Sequence, residues 1–154
     1  MYNRKSKVSA ILAIITAALL IGFMILLLFL PNNIGEENGL AVFFIVLFSF
    51  FGYAIIYASA IPFVTVALIF GIKMLKQQSR KRLISFNVRM LITTCVLLPF
   101  LAVGVVGSIG TILQSNLGLF PMIYTVVVSA FYIACLITQI ATIVILKKSP
   151  EVRS

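Results

Sequence analysis

The sequence contains no histidine and no tryptophan, and its 154 residues include only three carboxylates. Two of them, Glu36 and Glu37, are adjacent, and the third is Glu151. Zinc and iron sites in proteins draw on clustered histidine, cysteine and carboxylate ligands. This inventory therefore argues against a metal centre, and we expect no cofactor.

The long apolar stretches contain no carboxylate and no lysine. Hydrolysis within a membrane usually needs a nucleophile beside a base, or a pair of carboxylates. Proton-coupled transport generally relies on a buried ionisable group that changes charge during the cycle. The sequence therefore predicts a protein that is not an enzyme, and it disfavours proton-coupled antiport.

Cysteine is also scarce. Cys95 and Cys135 lie within separate apolar stretches and form no CxxC pair. A disulfide framework or a redox centre normally requires closer or more numerous cysteines. We interpret both residues as small buried apolar side chains, which is the common role of free cysteine.

Hydrophobic residues, in contrast, make up 62% of the chain, charged residues only 10%, and the mean hydropathy is +1.22. These values are typical of an integral membrane protein. A hydrocarbon core of about 30 Å needs roughly 20 apolar residues per helix. The chain offers four such stretches, at residues 8–30, 40–72, 91–113 and 122–146. It is predicted to form an all-α bundle of four transmembrane helices in a single domain spanning 1–154 and made of two hairpins.

The positive charges indicate how this bundle is oriented. All 12 lysines and arginines fall in three segments, namely Arg4, Lys5 and Lys7, then Lys73, Lys76, Arg80, Lys81, Arg82 and Arg89, and finally Lys147, Lys148 and Arg153. With four spans, the positive-inside rule places both termini and a basic loop at 73–89 in the cytoplasm. Topology explains the net charge of +9 better than nucleic-acid binding does. The short connections favour a bacterial cytoplasmic membrane.

The basic loop has two open interpretations. Its cations are candidate contacts for anionic lipid headgroups, namely Lys73, Lys76, Arg80, Lys81, Arg82 and Arg89. Ordinary topology signalling accounts for the same residues. Apolar residues such as Leu75, Leu83, Phe86 and Met90 recur at helical spacing, so part of this loop is expected to be helical.

The second apolar stretch is too long for a simple span. Its 33 uncharged residues would form a straight helix of about 50 Å. A tilt large enough to fit this length into the bilayer exceeds the usual range. We expect a kink or break near Pro62, or alternatively residues 40–48 lying along the outer membrane interface.

Polar side chains within the spans are the candidate functional residues. Thr125, Ser129, Tyr132 and Gln139 lie on one stripe of the fourth span, where an amide requires a hydrogen-bonding partner. A similar stripe on the second span, formed by Ser49, Tyr53 and Tyr57, is a candidate partner. The stripes serve either as contacts between helices or as the lining of a substrate or ion path.

Small residues form a second pattern. Gly104, Ser108 and Thr111 share one face of the third span. Close helix packing is the usual role of such a face, while a pore lining or a hinge would use the same residues. The first span also has a small-residue side, which consists of Ala10, Ala13, Ala17, Ala18 and Gly22.

The function predicted from the sequence is that of a non-catalytic integral membrane subunit or accessory protein. It would act through transmembrane helix packing, either in a homo-oligomer or in a larger membrane complex. The alternative is a small oligomeric channel or facilitator for an ion or small solute. A lumen would require the polar stripes to meet water, whereas a subunit would bury them.

Overall fold

The computed structural model describes residues 2–29, 39–115 and 119–148. The described chain forms four helices: α1 (Tyr2–Phe29), α2 (Gly39–Lys76), α3 (Arg80–Ser115) and α4 (Leu119–Lys148). Each contains a segment long and apolar enough to cross a membrane. The four segments are Asn3–Leu26, Ala58–Lys76, Arg80–Val106 and Leu119–Lys148. The prediction of an all-helical chain with four candidate spans is confirmed.

The helices are arranged as a ring of four. Each helix packs against its neighbours in the chain, and α4 closes the ring by packing against α1. α1 and α3 also approach each other across one diagonal. α2 and α4 occupy the other diagonal, and their described residues make no close backbone approach. The inward face of α4 therefore meets α1 and α3 most closely.

The outer surface of the described bundle is apolar, unlike that of a soluble protein. Large aliphatic side chains are exposed on every helix, as Ile11, Ile55, Ile92 and Ile137 illustrate. Polar side chains are buried inside, and these are Ser6, Ser9, Thr16, Asn87, Thr93, Thr94, Thr125, Gln139 and Thr142. Soluble monomers rarely expose large continuous apolar surfaces. This distribution suits a bundle whose outer face contacts hydrocarbon.

The basic segment predicted as a loop at 73–89 is almost entirely helical. α2 continues to Lys76 and α3 begins at Arg80, so only residues 77–79 connect them. Leu83 and Met90 are fully buried, and their spacing of seven residues keeps both on the inner face of α3. The loop prediction is corrected on this point, because burying these apolar residues extends the helix beyond the apolar stretch.

The three basic segments meet at one end of the bundle. The Arg80 side chain donates to the carbonyl oxygens of Leu146 (Nε, 2.6 Å) and Lys147 (3.0 Å) at the C-terminus of α4. Arg4 and Lys5, near the N-terminus of α1, line a groove together with the last turns of α4. The four helices thus alternate in direction, with the basic residues of both hairpins collected at this end.

α2 continues through Pro62 as one helix, so of the expected kink or break the break is absent and the kink stays a prediction. The proline ring is exposed, while Ala60 and Val64 on either side are buried in the core. The core contacts of α2 therefore continue on both sides of Pro62, whose backbone nitrogen has no hydrogen to donate. Residues 40–48, which were alternatively expected along the interface, belong to the same helix. At 1.5 Å per residue, its 38 residues extend for about 57 Å, well beyond the hydrocarbon core.

Candidate functional site

The polar stripe of α4 faces the interior of the bundle. Thr125, Tyr132 and Gln139 are buried, and Ser129 is half-buried. Gln139 has no exposed surface at all. Because a buried amide without a hydrogen-bonding partner is costly in an apolar environment, Gln139 requires a partner inside the bundle.

Thr94 on α3 is the centre of the bonding between α3 and α4. Its hydroxyl accepts a hydrogen bond from Gln139 Nε2 at 3.2 Å and donates to the Met90 carbonyl at 2.8 Å. Its backbone carbonyl accepts the hydroxyl of Tyr132. One α3 residue thus engages two residues of the stripe through two different groups. Gln139 Nε2 also lies 3.2 Å from the Cys135 sulfur.

The other two residues of the stripe bond within α4. The Thr125 hydroxyl donates to the Pro121 carbonyl at 2.8 Å, and the Ser129 hydroxyl donates to the Thr125 carbonyl at 2.8 Å. Back-bonding of this kind satisfies the donor of a hydroxyl within its own helix. Tyr132 and Gln139 carry bonds from the stripe to α3.

The partners suggested for this stripe, Ser49, Tyr53 and Tyr57, have side chains outside the described ones. Their helix, α2, lies diagonally opposite α4. The described bonds of Tyr132 and Gln139 go to Thr94 on α3. The suggested pairing of α2 with α4 concerns side chains outside the described ones and stays a prediction.

Hydrogen bonds also join α1 to α4. The Thr16 hydroxyl donates to the Leu12 carbonyl at 2.7 Å and lies 3.2 Å from the Phe131 carbonyl of α4. The Tyr124 hydroxyl donates to the Leu19 carbonyl at 3.2 Å. Gly22 makes room for this hydroxyl, since a Cβ atom built at Gly22 would collide with it. These bonds fasten α4 at two levels of α1.

A buried pair joins α1 to α3 across the diagonal. The Ser9 hydroxyl donates to Asn87 Oδ1 at 3.3 Å, and Asn87 Nδ2 donates to the Leu83 carbonyl at 3.0 Å. Neither Ser9 nor Asn87 has exposed surface. The sequence prediction missed this pair because Asn87 falls in the segment that was assigned to the loop.

The signal for this network in the sequence is a regular spacing of polar residues. Seven residues separate Ser9 from Thr16, Asn87 from Thr94, and Tyr132 from Gln139; all six are buried. A seven-residue repeat keeps successive side chains on the inner face of helices that cross at the small angle of a left-handed bundle. Applying this period to the polar positions of the third span and of the basic segment before it would have included Thr94 and Asn87.

The small-residue faces are partly described. Gly104 is buried, while the side chains of Ser108 and Thr111 lie outside the described ones. On α1, Ala10, Ala13 and Ala17 are buried, but Ala18 is exposed and does not belong to the packing face. A turn of about 100° per residue moves position 18 away from the face that contains position 17.

Close approach joins α1 to α2. A Cβ atom built at Gly71 would lie 2.9 Å from Ile14 Cγ1 and 3.5 Å from the Ala10 carbonyl oxygen. The facing positions on α2 include the buried Ala60, Val64 and Ala67. Small residues therefore set the distance between these two helices, as is common in membrane proteins.

The candidate headgroup contacts divide into two groups. Lys73, Lys76, Lys81 and Arg82 are exposed. Arg80 is engaged with the end of α4 as described above, and the exposed Arg89 guanidinium lies 5.7 Å from the centre of the Phe70 ring. Arg80 thus has a structural contact that the sequence pattern did not indicate.

The centre of the described bundle is nearly filled. A cavity of about 10 Å³ lies among residues of all four helices, including Thr16, Ala67, Thr94 and Tyr132. This volume corresponds to about one water molecule. In the described part of the chain, two buried polar atoms, Gln139 Oε1 and Ser6 Oγ, have no hydrogen-bond partner. Within that same part, no three His, Cys, Asp or Glu residues come together as a metal site would require.

Comparison with protein-family models, with characterised proteins and with solved structures gives no match. The interpretation of this site therefore depends on its own geometry. The described network consists of neutral hydrogen-bonding groups that join helices, arranged around a space the size of one water molecule.

Proposed function

We propose that this chain is a multi-pass integral membrane protein that acts as a non-catalytic subunit or accessory protein. In this proposal its polar interior holds the bundle together, and its apolar outer face contacts lipid and a neighbouring subunit. The apolar outer surface of the described helices supports the membrane placement, since exposed isoleucine and buried glutamine, asparagine and threonine suit hydrocarbon surroundings.

The proposed orientation has the basic end in the cytoplasm. Three basic segments that are distant in sequence meet at this end, so one side of the membrane would hold all of them. Cysteine labelling in a variant lacking Cys95 and Cys135 tests this placement. Lys81→Cys should react only from the cytoplasmic side, and Glu36→Cys only from the outside. The reverse labelling would overturn the orientation.

One observation carries the choice of a subunit over a channel. Several buried polar groups of α1, α3 and α4 form hydrogen bonds between these helices, and the central cavity of about 10 Å³ leaves no space for a column of water at that level. A path between copies would be lined at the described outer positions by side chains such as Ile92, Ile133 and Ile137. Neither arrangement favours passage of an ion.

Two measurements on the purified protein test this function. In liposomes, it should release no more potassium, chloride or glycerol than empty vesicles do. In mild detergent, it should migrate as a homo-oligomer or with a stable partner protein. Solute release that changes on Gln139→Leu, at unaltered thermal stability, would contradict the proposal and would instead favour the channel or facilitator.

A further inference from the structure

An open groove lies between α1 and α4 at the basic end of the bundle. Its volume is about 380 Å³, and it is lined by Arg4, Lys5, Val8, Thr138, Ala141, Thr142 and Ile145. Residues 138 to 145 extend about 10 Å along α4 at 1.5 Å per residue. The groove thus follows the two helices inward from the basic end, with its opening on the outer face of the bundle.

The polarity of the groove changes along its length. Arg4 and Lys5 are closest to the end of the bundle, and Val8 lies about one turn deeper on α1. On the α4 side, Ile145 lies nearest the basic end, and Ala141 and Thr138 lie progressively deeper. The threonine hydroxyl at position 142 donates to the Thr138 carbonyl at 2.6 Å, so it adds little polarity to the wall. A ligand that fits this groove is charged at one end and apolar at the other.

The described structure contains no carboxylate to pair with these cations, because Glu36, Glu37 and Glu151 all lie outside it. The C-terminal carbonyls of a helix also attract cations. At the nearby end of α4, however, Arg80 binds the carbonyls of Leu146 and Lys147. Arg4 and Lys5 are therefore positioned beside a helix end whose last carbonyls already have a cationic partner.

We propose that this groove binds one anionic phospholipid, with its phosphate on Arg4 and Lys5 and an acyl chain along Val8, Ala141 and Thr138. The inference relies on the membrane placement proposed above, which puts the basic end at headgroup level and the deeper part of the groove at the level of the acyl chains. It goes beyond that placement because it assigns the lipid to α1 and α4, away from the cations that connect α2 and α3.

Charge favours a lipid over a second copy of the chain. A two-fold interface places the same surface patch on both subunits. Two copies joined through this groove would bring Arg4 and Lys5 close to the same residues of the other copy. Like charges at close range oppose such a contact, whereas a phosphate between them is favourable.

Native mass spectrometry of the whole protein with phosphatidylglycerol and phosphatidylcholine of identical acyl chains tests the inference. The unmodified protein should retain one phosphatidylglycerol at concentrations where phosphatidylcholine is lost. Arg4→Ala with Lys5→Ala should weaken this binding roughly thirty-fold, at about five-fold per cation near the membrane surface. Ala141→Phe, which fills the groove without changing the charge, should weaken it as well.

The matched control is Lys81→Ala with Arg82→Ala, which removes two exposed cations from the same end of the bundle. This variant should keep the high-affinity lipid. Equal loss in both double variants would show a general surface charge effect and would overturn the site. Retention of the lipid in Ala141→Phe would overturn the acyl-chain position. A dimer that Ala141→Phe disrupts, with no lipid bound, would identify the groove as an interface between copies.

Labelling of Lys81→Cys and Glu36→Cys in the otherwise unmodified protein, in the Arg4→Ala with Lys5→Ala variant and in the Ala141→Phe variant separates this result from the proposed membrane placement. If the labelling pattern is as expected and phosphatidylglycerol still binds no better than phosphatidylcholine, only the lipid site fails. If the labelling pattern is reversed, the proposed orientation fails whatever lipid is bound.

Discussion

α1 contacts its two neighbours in different ways. Towards α2 it presents the small residues Ala10 and Ala13, which allow the close approach at Gly71. Towards α4 it contributes the Thr16 hydroxyl and the Leu19 carbonyl as hydrogen-bonding groups. The first contact depends on shape and the second on pairing of polar atoms. The two should therefore differ in how much a single substitution disturbs them.

The largest effect is expected at the α1–α2 contact. Gly71→Leu places a branched side chain where even a Cβ atom lies 2.9 Å from Ile14, so the helices must separate or the side chains must adopt strained conformations. Overpacking of this kind costs about 1–3 kcal/mol of folding free energy. Unfolding in mixed micelles measures it. Gly52→Leu is the matched control on the same helix, because a Cβ atom at Gly52 meets nothing within 4 Å.

If Gly52→Leu destabilised the protein as much as Gly71→Leu, the collision with Ile14 would not be the cause of the effect. The proposed difference between the α1–α2 contact and the α1–α4 contact would then not hold. The intermediate variant Gly71→Ala should cost less than Gly71→Leu, because the side chain of Ile14 can move away from a single methyl group.

A smaller effect is expected where shape and hydrogen bonding meet, at Gly22. Gly22→Ala forces the Tyr124 hydroxyl away from the Leu19 carbonyl, which costs about 1 kcal/mol for the lost hydrogen bond. Tyr124→Phe removes the colliding oxygen and retains the ring, which stacks on Phe23 at a centroid distance of 6.3 Å. Gly22→Ala should therefore cost much less in the Tyr124→Phe background. An unchanged cost in that background would show that the collision is not its cause.

The smallest effect is expected at the α3–α4 contact. Gln139→Leu and Thr94→Val each remove the bond between the Gln139 amide and the Thr94 hydroxyl, and bonds of this kind average about 0.6 kcal/mol in membrane proteins. A double-mutant cycle should give a coupling energy of that size. Thr94→Val and Tyr132→Phe should show much weaker coupling, because Tyr132 bonds to the carbonyl, which valine retains.

Thr93→Val is the control for this cycle, since the Thr93 hydroxyl donates to the Arg89 carbonyl of its own helix. Thr93→Val should not couple to Gln139→Leu. Coupling of similar size at positions 93 and 94 would mean that the cycle reports a general change in α3, and the specific role of Thr94 would be lost.

The four candidate spans were predictable because each is a long apolar stretch, and bilayer thickness determines the number of residues that a helix needs. The bounds of α2 and α3 were less predictable. Leu83 and Met90 extend the buried face of α3 back into the basic segment. A boundary placed from charge alone therefore starts α3 too late in the chain. A proline inside a helix can either kink it or break it, so residue type alone left the continuity of α2 at Pro62 open.

The stripe of α4 was predictable from spacing, but its partners were not. Thr94 is one of many threonines in apolar surroundings, and it matters because α3 neighbours α4 in the ring. A single sequence gives the polar positions of each helix separately and leaves the order of the helices around the axis open. Asn87 and Ser9 were missed for a different reason, since Asn87 falls in the basic segment that was assigned to the loop.

The contact of Arg80 with the end of α4 also affects how the protein is made. Arg80 begins α3, whereas its acceptors, Leu146 and Lys147, belong to the last turn of α4. During translation, 66 residues must be added after Arg80 before the first of these carbonyls exists. The ring is therefore completed late in synthesis. A ribosome that stalls before codon 146 would leave three complete helices and a shortened fourth without this contact.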